Sequence, residues 1–189
     1  MKTHLRIACL YTLVSAILLG LIYPAAITGV AQLLFRDKAN GQLITQGGEL
    51  IGSRIIGQPF TGPRYFHSRP SAAGTGYDAS ASSGSNLAPT NKALIDRVSA
   101  SVMQERGTSD VPIDLVTASA SGLDPDISPA AALYQVDRLS AQLKIPRETL
   151  IALVEHQARA RQLGLLGEPT VNVLELNLAL RRLHPADQP

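Results

Sequence analysis

The chain has 189 residues, of which 45% are hydrophobic, 4% aromatic and 17% charged, and its single cysteine cannot form an intrachain disulfide. It contains 17 Lys and Arg against 15 Asp and Glu, and two of the basic residues, Lys2 and Arg6, precede the first apolar segment. The remainder is close to neutral, which argues against binding to nucleic acid or through a basic membrane-surface patch.

The first element is a segment of about 29 residues, from Ile7 to Phe35, without a formal charge. Because roughly 20 apolar residues suffice to cross a bilayer as a helix, it predicts a transmembrane helix. A cleavable signal peptide is the alternative, but the apolar character continues beyond Pro24-Ala25-Ala26, past the usual signal core. The sequence favours a permanent anchor at 7–35, followed by one soluble domain at 36–189.

Three residues inside this anchor carry further predictions. Pro24 removes a backbone donor and predicts a bend. Gly20 and Gly29 are small enough to let a helix of a partner approach closely.

The basic residues at the two ends of the anchor nearly balance, and the terminal amine tips the count towards a cytoplasmic N-terminus at 1–6. The soluble domain would then lie on the outer side of the membrane.

Beyond the anchor, residues 40 to 60 alternate short apolar runs with glycines, which predicts a small antiparallel hairpin or two. Residues 61 to 91 lose all apolar periodicity. A loop of about 30 residues is rare in a compact domain and is usually functional or disordered. Tyr65, Phe66 and Arg69 favour an ordered loop that makes contacts, with disorder as the alternative.

Helical patterns occupy most of the remaining chain. Apolar spacing predicts helices at 91–106, 128–143 and 146–160 and a last helix from 172, with a strand at 111–117. The leucines of the last helix cover most of its circumference, so it should be buried or shared with a partner. The predicted fold class is α+β: one N-terminal transmembrane helix, then one soluble domain with a small antiparallel sheet and about four helices.

Local signals mark where these helices begin. Asn91, or Thr90 before it, can cap the first one, and Ser128 followed by Pro129 is a clear start for the second. Asn172 with Glu175 three residues later resembles a capping box.

Catalytic and metal-binding patterns are missing from the sequence. The chain contains four histidines, at positions 4, 67, 156 and 184. They lie far apart and lack the spacing of a zinc site. No phosphate-binding loop and no nucleophile elbow occurs. Asp124 and Asp126 fit turn chemistry better than a calcium loop.

The helices at 130–143 and 146–160 permit one more interpretation. They could form a helix-turn-helix that places Arg147, Arg159 and Arg161 on DNA phosphates. The neutral charge and the membrane anchor argue against it.

Several strings of the sequence are distinctive when read together. They are Tyr23-Pro24, Leu50-Ile51-Gly52-Ser53, 56–60, 65–72, 82–87, 114–124, 127–131, Gln135-Val136 and 171–180. With these strings, nearly the whole chain resembles the C subunit of the Kdp-type potassium-transporting ATPase of bacteria.

The resemblance implies an inner-membrane complex for high-affinity potassium uptake. In that complex a channel-like subunit selects K⁺ and a P-type subunit hydrolyses ATP. The C subunit is expected to be a non-catalytic accessory, with these two subunits and membrane lipid as partners. Two accounts of the role of the C subunit are possible. Only one of them expects a cofactor, namely ATP.

The two accounts differ in where the domain lies. On the first, the subunit is a catalytic chaperone that raises the nucleotide affinity of the ATPase subunit, and Gln135 is the residue expected to touch ATP. On the second, the domain is periplasmic and stabilises the assembly. A domain outside the cell cannot meet cytosolic ATP, so the sequence favours the second account. Its expected docking residues are Tyr65, Phe66, Arg69, Ser85 and Asn86, since tyrosine and arginine often anchor interfaces.

Overall fold

The computed structural model describes residues 1–107 and 110–183. Its contacts divide the chain into two units, Met1–Leu43 and a second that begins at Ile44. The predicted α+β class is confirmed, because a long apolar helix precedes short strands and several helices. His184, one of the four histidines considered above, lies outside the described residues.

The first unit is dominated by one apolar helix. It comprises α1 (Lys2–Ile17), a π-helical turn (Leu18–Ile22) and α2 (Tyr23–Leu34). Its most apolar stretch of 18 residues has a mean hydropathy of 2.2, and none of that stretch is buried. With 33 residues, the helix is long and apolar enough to cross a membrane. A short helix, α3 (Arg36–Ala39), follows.

The π-helical turn ends at Ile22, two residues before Pro24, where the sequence predicts a bend. The Tyr23 N–H bonds to the Leu18 carbonyl, five residues earlier. Proline has no N–H to bond four residues back, and its ring crowds the carbonyl at that position. A wider turn relieves this crowding, as π-helical turns do where an α-helix is interrupted.

The predicted hairpin follows, and all of it except Leu43 belongs to the second unit. Strands β1 (Leu43–Gln46) and β2 (Glu49–Ser53) pair and are joined only by Gly47 and Gly48. Both glycines have a positive φ, 62° and 89°, as two-residue hairpin turns require. The hairpin is confirmed, whereas the next apolar run, residues 54–56, forms a turn rather than a further strand.

A second two-stranded sheet, absent from the predictions, joins distant parts of this unit. Strand β3 (Asp126–Ile127) pairs antiparallel with β4 (Val171–Asn172). Asp126 lies opposite Asn172, and Ile127 lies opposite Val171. Strands of two residues are too short to show a period in the sequence. The pairing is nevertheless important, because each strand leads directly into a helix.

Five helices lie in the described part of the second unit. They are α4 (Lys92–Glu105), α5 (Pro129–Tyr134), α6 (Val136–Leu143), α7 (Arg147–Gln157) and α8 (Val173–Leu183). The single helix predicted at 128–143 is thus two helices that meet at Gln135. The predicted burial of the last helix is confirmed, since five of its residues are buried.

The predicted helix starts are confirmed by their caps. The side-chain oxygen of Asn91 accepts from Ala93 N at 2.9 Å, and that of Ser128 accepts from Ala131 N at 3.2 Å. Asn172 Oδ1 accepts from Glu175 N at 3.1 Å. Each cap satisfies one of the backbone donors that a helix leaves open at its first turn.

The strand predicted at 111–117 is wrong. Residues Ile113–Leu115 form a 3₁₀ turn, in which the Ile113 carbonyl accepts from the backbone N–H groups of Val116 and Thr117. Leu115 and Val116 are both buried although they are neighbours, whereas Ile113 is exposed. A strand places neighbours on opposite faces, so it could not bury both against one core.

The core of the second unit is formed mainly by α5 to α8 and the β3–β4 pair. Leu139, Leu150, Val154 and Leu176 are fully buried there, and Phe66 joins them from the long loop. Helix α4 differs, because it has no buried residue and its predicted apolar face stays partly exposed.

Candidate functional site

The loop at 61–91 passes through the interior at Phe66 and His67, where two amide side chains hold its backbone. Asn177 accepts from Phe66 N at 2.8 Å and donates to Phe66 O at 2.9 Å. Gln135 accepts from His67 N at 2.6 Å and donates to His67 O at 3.2 Å. Both amides are 2% exposed. We call this arrangement the amide clamp.

The amide clamp does for the loop what neighbouring strands do in a sheet. A buried backbone N–H or C=O without a partner costs roughly 1–3 kcal/mol, so an irregular segment is rarely buried. Here each amide satisfies both polar groups of one residue. The clamp therefore allows Phe66, fully buried, to enter the core from a loop.

Gln135 fills this role because the helix is interrupted at its position. It lies between α5 and α6, and its amide also donates to Ala131 O at 3.3 Å. Arg138 Nη2 donates to Gln135 Oε1 at 2.9 Å. Both ends of the amide are thus engaged within the chain. A nucleotide could contact Gln135 only by displacing part of this network.

Gln135 also lines an open cleft of about 410 Å³. Three arginines line the same cleft, namely Arg106, Arg138 and Arg147. Arg147 pairs with Asp137 at 2.5 Å. Arg138 donates to the carbonyls of Pro63 and Tyr65 at 2.6 and 3.0 Å. Burial lowers the pKa of the Arg138 guanidinium, and the nearby Glu105 carboxylate opposes that change.

His67 and Tyr134 attach the end of α4 to this region. His67 Nδ1 lies 2.9 Å from Glu105 Oε1, and its Nε2 lies 3.1 Å from the Gly62 carbonyl. The Tyr134 hydroxyl donates to Glu105 O and accepts from Gly107 N, both at 2.8 Å. These polar contacts hold the C-terminal end of α4, and Arg97 in the middle of the helix donates to Ser71 O at 3.3 Å.

Of the residues predicted to dock a partner, Phe66 requires a correction. Its side chain is fully buried in the core, so it cannot form part of an exposed surface. The prediction failed because an aromatic residue in a polar loop can be either a core residue or an interface residue. Only the helices that pack on it decide between the two.

Tyr65, the neighbour of Phe66, is 36% exposed. Its ring lies 5.9 Å from that of Phe60. Both rings line an open cleft of about 430 Å³, whose other wall includes Leu174, Leu178 and Arg181 of α8. This cleft combines apolar walls with a cationic side chain.

Arg69 lies apart from this cleft. It pairs with Asp124 at 3.1 Å, and its backbone carbonyl accepts from the Tyr77 hydroxyl. Burial raises the pKa of that hydroxyl, so it stays protonated as a donor. Ser85 is half-buried and Asn86 is exposed. They lie beside Ser83, whose N–H donates to Ser121 O at 2.9 Å.

These loops cross at Gly122. Its φ is +68°, and a Cβ at this position would lie 2.5 Å from the Ser83 carbonyl oxygen and 2.6 Å from Ala73 N. Ser71 Oγ donates to the Gly122 carbonyl at 2.6 Å. Glycine is therefore required both by the left-handed backbone and by the close approach of two other backbones.

Gly122→Ala should destabilise the chain by about 2 kcal/mol, because it adds left-handed strain and a backbone clash. Thermal unfolding of the full chain in detergent measures the change. Gly167→Ala is the matched control, since Gly167 has a similar φ of +75° with nothing within 4 Å of the added carbon. Equal effects of the two substitutions would show that crowding at Gly122 is unimportant.

Sequence reasoning missed Asn177, whose signal is a lone amide among the leucines of the last helix. It also extended the helix at 146 as far as residue 160, whereas α7 ends at Gln157, and it assigned no element to residues 161–169, which are all exposed. Within the described residues no group of three or more His, Cys, Asp and Glu side chains could hold a metal ion. Gly20 and Gly29 of the apolar helix have nothing within 4 Å of an added Cβ.

Comparison with known proteins gives consistent results. A family model described as "K+-transporting ATPase, c chain" matches residues 5–182. A "Potassium-transporting ATPase KdpC subunit" of Acidobacterium capsulatum is 58% identical over 182 residues, covering 96% of this chain and 99% of the relative. Subunits with the same description from Koribacter versatilis and Gemmatimonas aurantiaca are 54% and 53% identical. These two alignments cover 100% and 97% of this chain, and 100% and 94% of the relatives.

Proposed function

The chain belongs to the KdpC family of potassium-transporting ATPase subunits, and we propose that it is a non-catalytic accessory subunit that stabilises the assembled complex. The observation that carries this proposal is the apolar helix Lys2–Leu34. The most apolar part of this helix is not buried against any other part of the chain that the structure describes. An apolar surface of this length is covered by lipid and by other membrane helices. Gly20, Pro24 and Gly29 are the residues that we assign to helix packing.

The polar interior of the second unit supports a structural task. Gln135, Asn177 and Asn172, the buried amides, all bond to other parts of the chain. Groups engaged in this way hold the fold together and are poorly placed to act on a substrate. We infer that ATP hydrolysis and K⁺ selection belong to the P-type and channel-like subunits, which are the proposed partners.

We place the N-terminus in the cytoplasm and the second unit in the periplasm. The docking surface that we propose comprises Tyr65, Arg69, Ser85 and Asn86, because these residues are exposed or half-buried. Phe66 is omitted since it is buried.

Orientation can be tested by labelling one cysteine. In a Cys9→Ser background, Ser82→Cys introduces a thiol at an exposed position. We expect an impermeant maleimide to label it in intact cells at the same level as after lysis. The parent without the new cysteine measures background labelling. Labelling only after lysis would place the domain in the cytoplasm and would contradict the proposed orientation.

Docking can be tested by substituting Tyr65 and Arg69. Tyr65→Ala with Arg69→Ala should reduce co-purification of the partner subunits by about tenfold or more, as the loss of interface anchors does. Because Arg69→Ala also breaks the pair with Asp124, Asp124→Asn is the control that weakens that pair and keeps the arginine. An unchanged yield of the complex with the double variant would reject this docking surface.

A second candidate function is nucleotide binding as a catalytic chaperone. One observation favours it: the cleft beside Gln135 is lined by three arginines. Two of these arginines already bond within the chain, and the amide of Gln135 is fully engaged. We therefore rank this function below assembly.

A further inference from the structure

Residues 159–170, between α7 and β4, form a hairpin-like projection that we call the leucine finger. Arg159 and Thr170 exchange two backbone hydrogen bonds, at 2.8 and 3.1 Å. Gln162 and Leu166 do the same nearer the tip, both at 2.9 Å. Every residue from 159 to 169 is exposed. The finger is therefore an ordered element that carries no part of the core.

The tip of the finger presents leucines to solvent. Leu163 is 90% exposed, Leu165 80% and Leu166 60%. Single exposed apolar residues are common on protein surfaces, but adjacent ones at the end of a hairpin form a patch. Such a patch indicates an interaction surface.

One of these leucines, Leu163, has an unfavourable backbone conformation. Leu163 and Gly164 have φ values of +54° and +74°, and Leu165 N bonds to Gln162 O at 3.1 Å. Two consecutive positive φ angles are typical of a type I′ turn, which favours Asn or Gly at the first central position. A leucine there costs conformational energy, and strained positions of this kind concentrate at functional sites.

The charges of the finger are neutralised by neighbouring residues. Arg161 pairs with Glu168 at 2.5 Å, and Arg159 pairs with Glu175 of α8. No charged residue lies among the five residues 163–167. The tip is thus an uncharged apolar projection on a neutral stem.

These properties distinguish among possible occupants. The three leucine side chains expose a few hundred Å² at most, well below the ~800 Å² per partner of a standard interface. The tip would therefore not hold a second copy by itself, and it can only add to contacts made elsewhere on the chain, as it would in the assembled complex. Binding to the lipid surface usually uses aromatic side chains or unpaired basic residues, and residues 163–167 contain neither. A concave apolar site on a protein matches the tip in shape and in charge.

We propose that the leucine finger inserts Leu163 and Leu165 into an apolar pocket on another subunit of the potassium-transporting ATPase complex. The inference rests on the proposed assembly function and adds a docking element separate from the Tyr65–Arg69 surface. The strain at Leu163 is maintained because the side chain is covered in the complex. In the free chain the same leucine only destabilises the turn.

Leu163→Asn tests whether Leu163 destabilises the turn in the free chain but strengthens binding in the complex. Asparagine tolerates a positive φ, so the melting temperature of the full chain in detergent should stay within about 2 °C or rise. Co-purification of the partner subunits should fall about tenfold, which is the loss of affinity expected when one buried leucine side chain is removed from an interface. Leu165→Ser should lower the yield similarly without affecting the turn. Wild-type yields with both variants would overturn the proposal.

Ile113→Asn is the matched control, because Ile113 is 70% exposed on a different segment. It should leave the yield of the complex unchanged. A loss equal to that of Leu163→Asn would show that any exposed apolar side chain has this effect, which would also overturn the proposal.

The occupant can be identified with a fluorophore at the tip. The full chain with Cys9→Ser and Leu166→Cys, which leaves Leu163 and Leu165 in place, is labelled with a polarity-sensitive dye and placed in nanodiscs of neutral or anionic phospholipid. We expect a blue shift only when the partner subunits are present. A shift in nanodiscs with the chain alone, independent of its concentration, would assign the finger to lipid. A shift that grows with concentration would assign it to a second copy.

Failure of this inference can be separated from failure of the proposed function. If the complex assembles normally with both finger variants but not without the chain, the accessory function stands and the finger inference fails. If the complex is equally stable without the chain, the proposed function itself fails.

Discussion

Asn177→Leu should destabilise the chain by about 4 kcal/mol, the largest effect that we expect from a single substitution. The substitution leaves Phe66 N–H and C=O without partners in a fully buried site, and each orphaned group costs roughly 1–3 kcal/mol. Leucine has the same number and branching of side-chain heavy atoms but cannot bond to either group. Chemical denaturation of the full chain in detergent measures the loss.

The control for Asn177→Leu is Gln104→Leu on α4. Gln104 is an exposed amide on a helix that has no buried residue, so its replacement should change stability by less than about 0.5 kcal/mol. Hydrogen exchange gives a local measure, because the Phe66 amide should exchange much faster in the Asn177 variant only. Stability within about 0.5 kcal/mol of the wild type would contradict the role of this amide.

Gln135→Leu should cost about 3 kcal/mol, somewhat less than Asn177→Leu. It removes the partners of His67 N–H and C=O, but these bonds are only partly buried and water can reach them from the adjacent cleft. The two losses should not add. Once either amide is gone, the Phe66–His67 segment is loosened, and a double-mutant cycle should show a coupling of about 1 kcal/mol or more.

Gln135→Leu also separates the structural role from nucleotide binding. If Gln135 serves only the fold, the purified complex should keep its KM for ATP while its yield falls. Arg147→Ala is the companion variant, because Arg147 lies at the exposed rim of the same cleft and pairs only with Asp137 among the contacts described. A raised KM for ATP in both variants would support the catalytic-chaperone account and would contradict the structural role proposed for Gln135.

The amide clamp holds part of the long loop rigidly, as the proposed docking surface requires. Asn177 and Gln135 fix Phe66 and His67, and the residues on either side of this pair are positioned by that anchorage. Tyr65 is held directly before the clamp, and Arg69 follows two residues after it. A partner can therefore bind a preformed loop at a small entropic cost.

What the sequence determined by itself is confined to features encoded over a few neighbouring residues. The length and polarity of residues 7–35 predicted a helix long and apolar enough to cross a membrane, and the Gly47-Gly48 pair predicted the hairpin turn. Side-chain caps such as Asn91 and Ser128 could be recognised because donor and acceptor lie within three residues of each other. These signals depend on local backbone geometry, which does not change with the packing around them.

Only the tertiary structure decided the features that depend on distant residues. Phe66 is 111 residues from Asn177, and His67 is 68 residues from Gln135. No local pattern shows that an aromatic residue in a polar loop belongs to the core, that a helix breaks at Gln135, or that Leu163 is left uncovered. Burial and hydrogen bonding of these side chains are set by which segments meet in space, and that is a property of the whole packed domain.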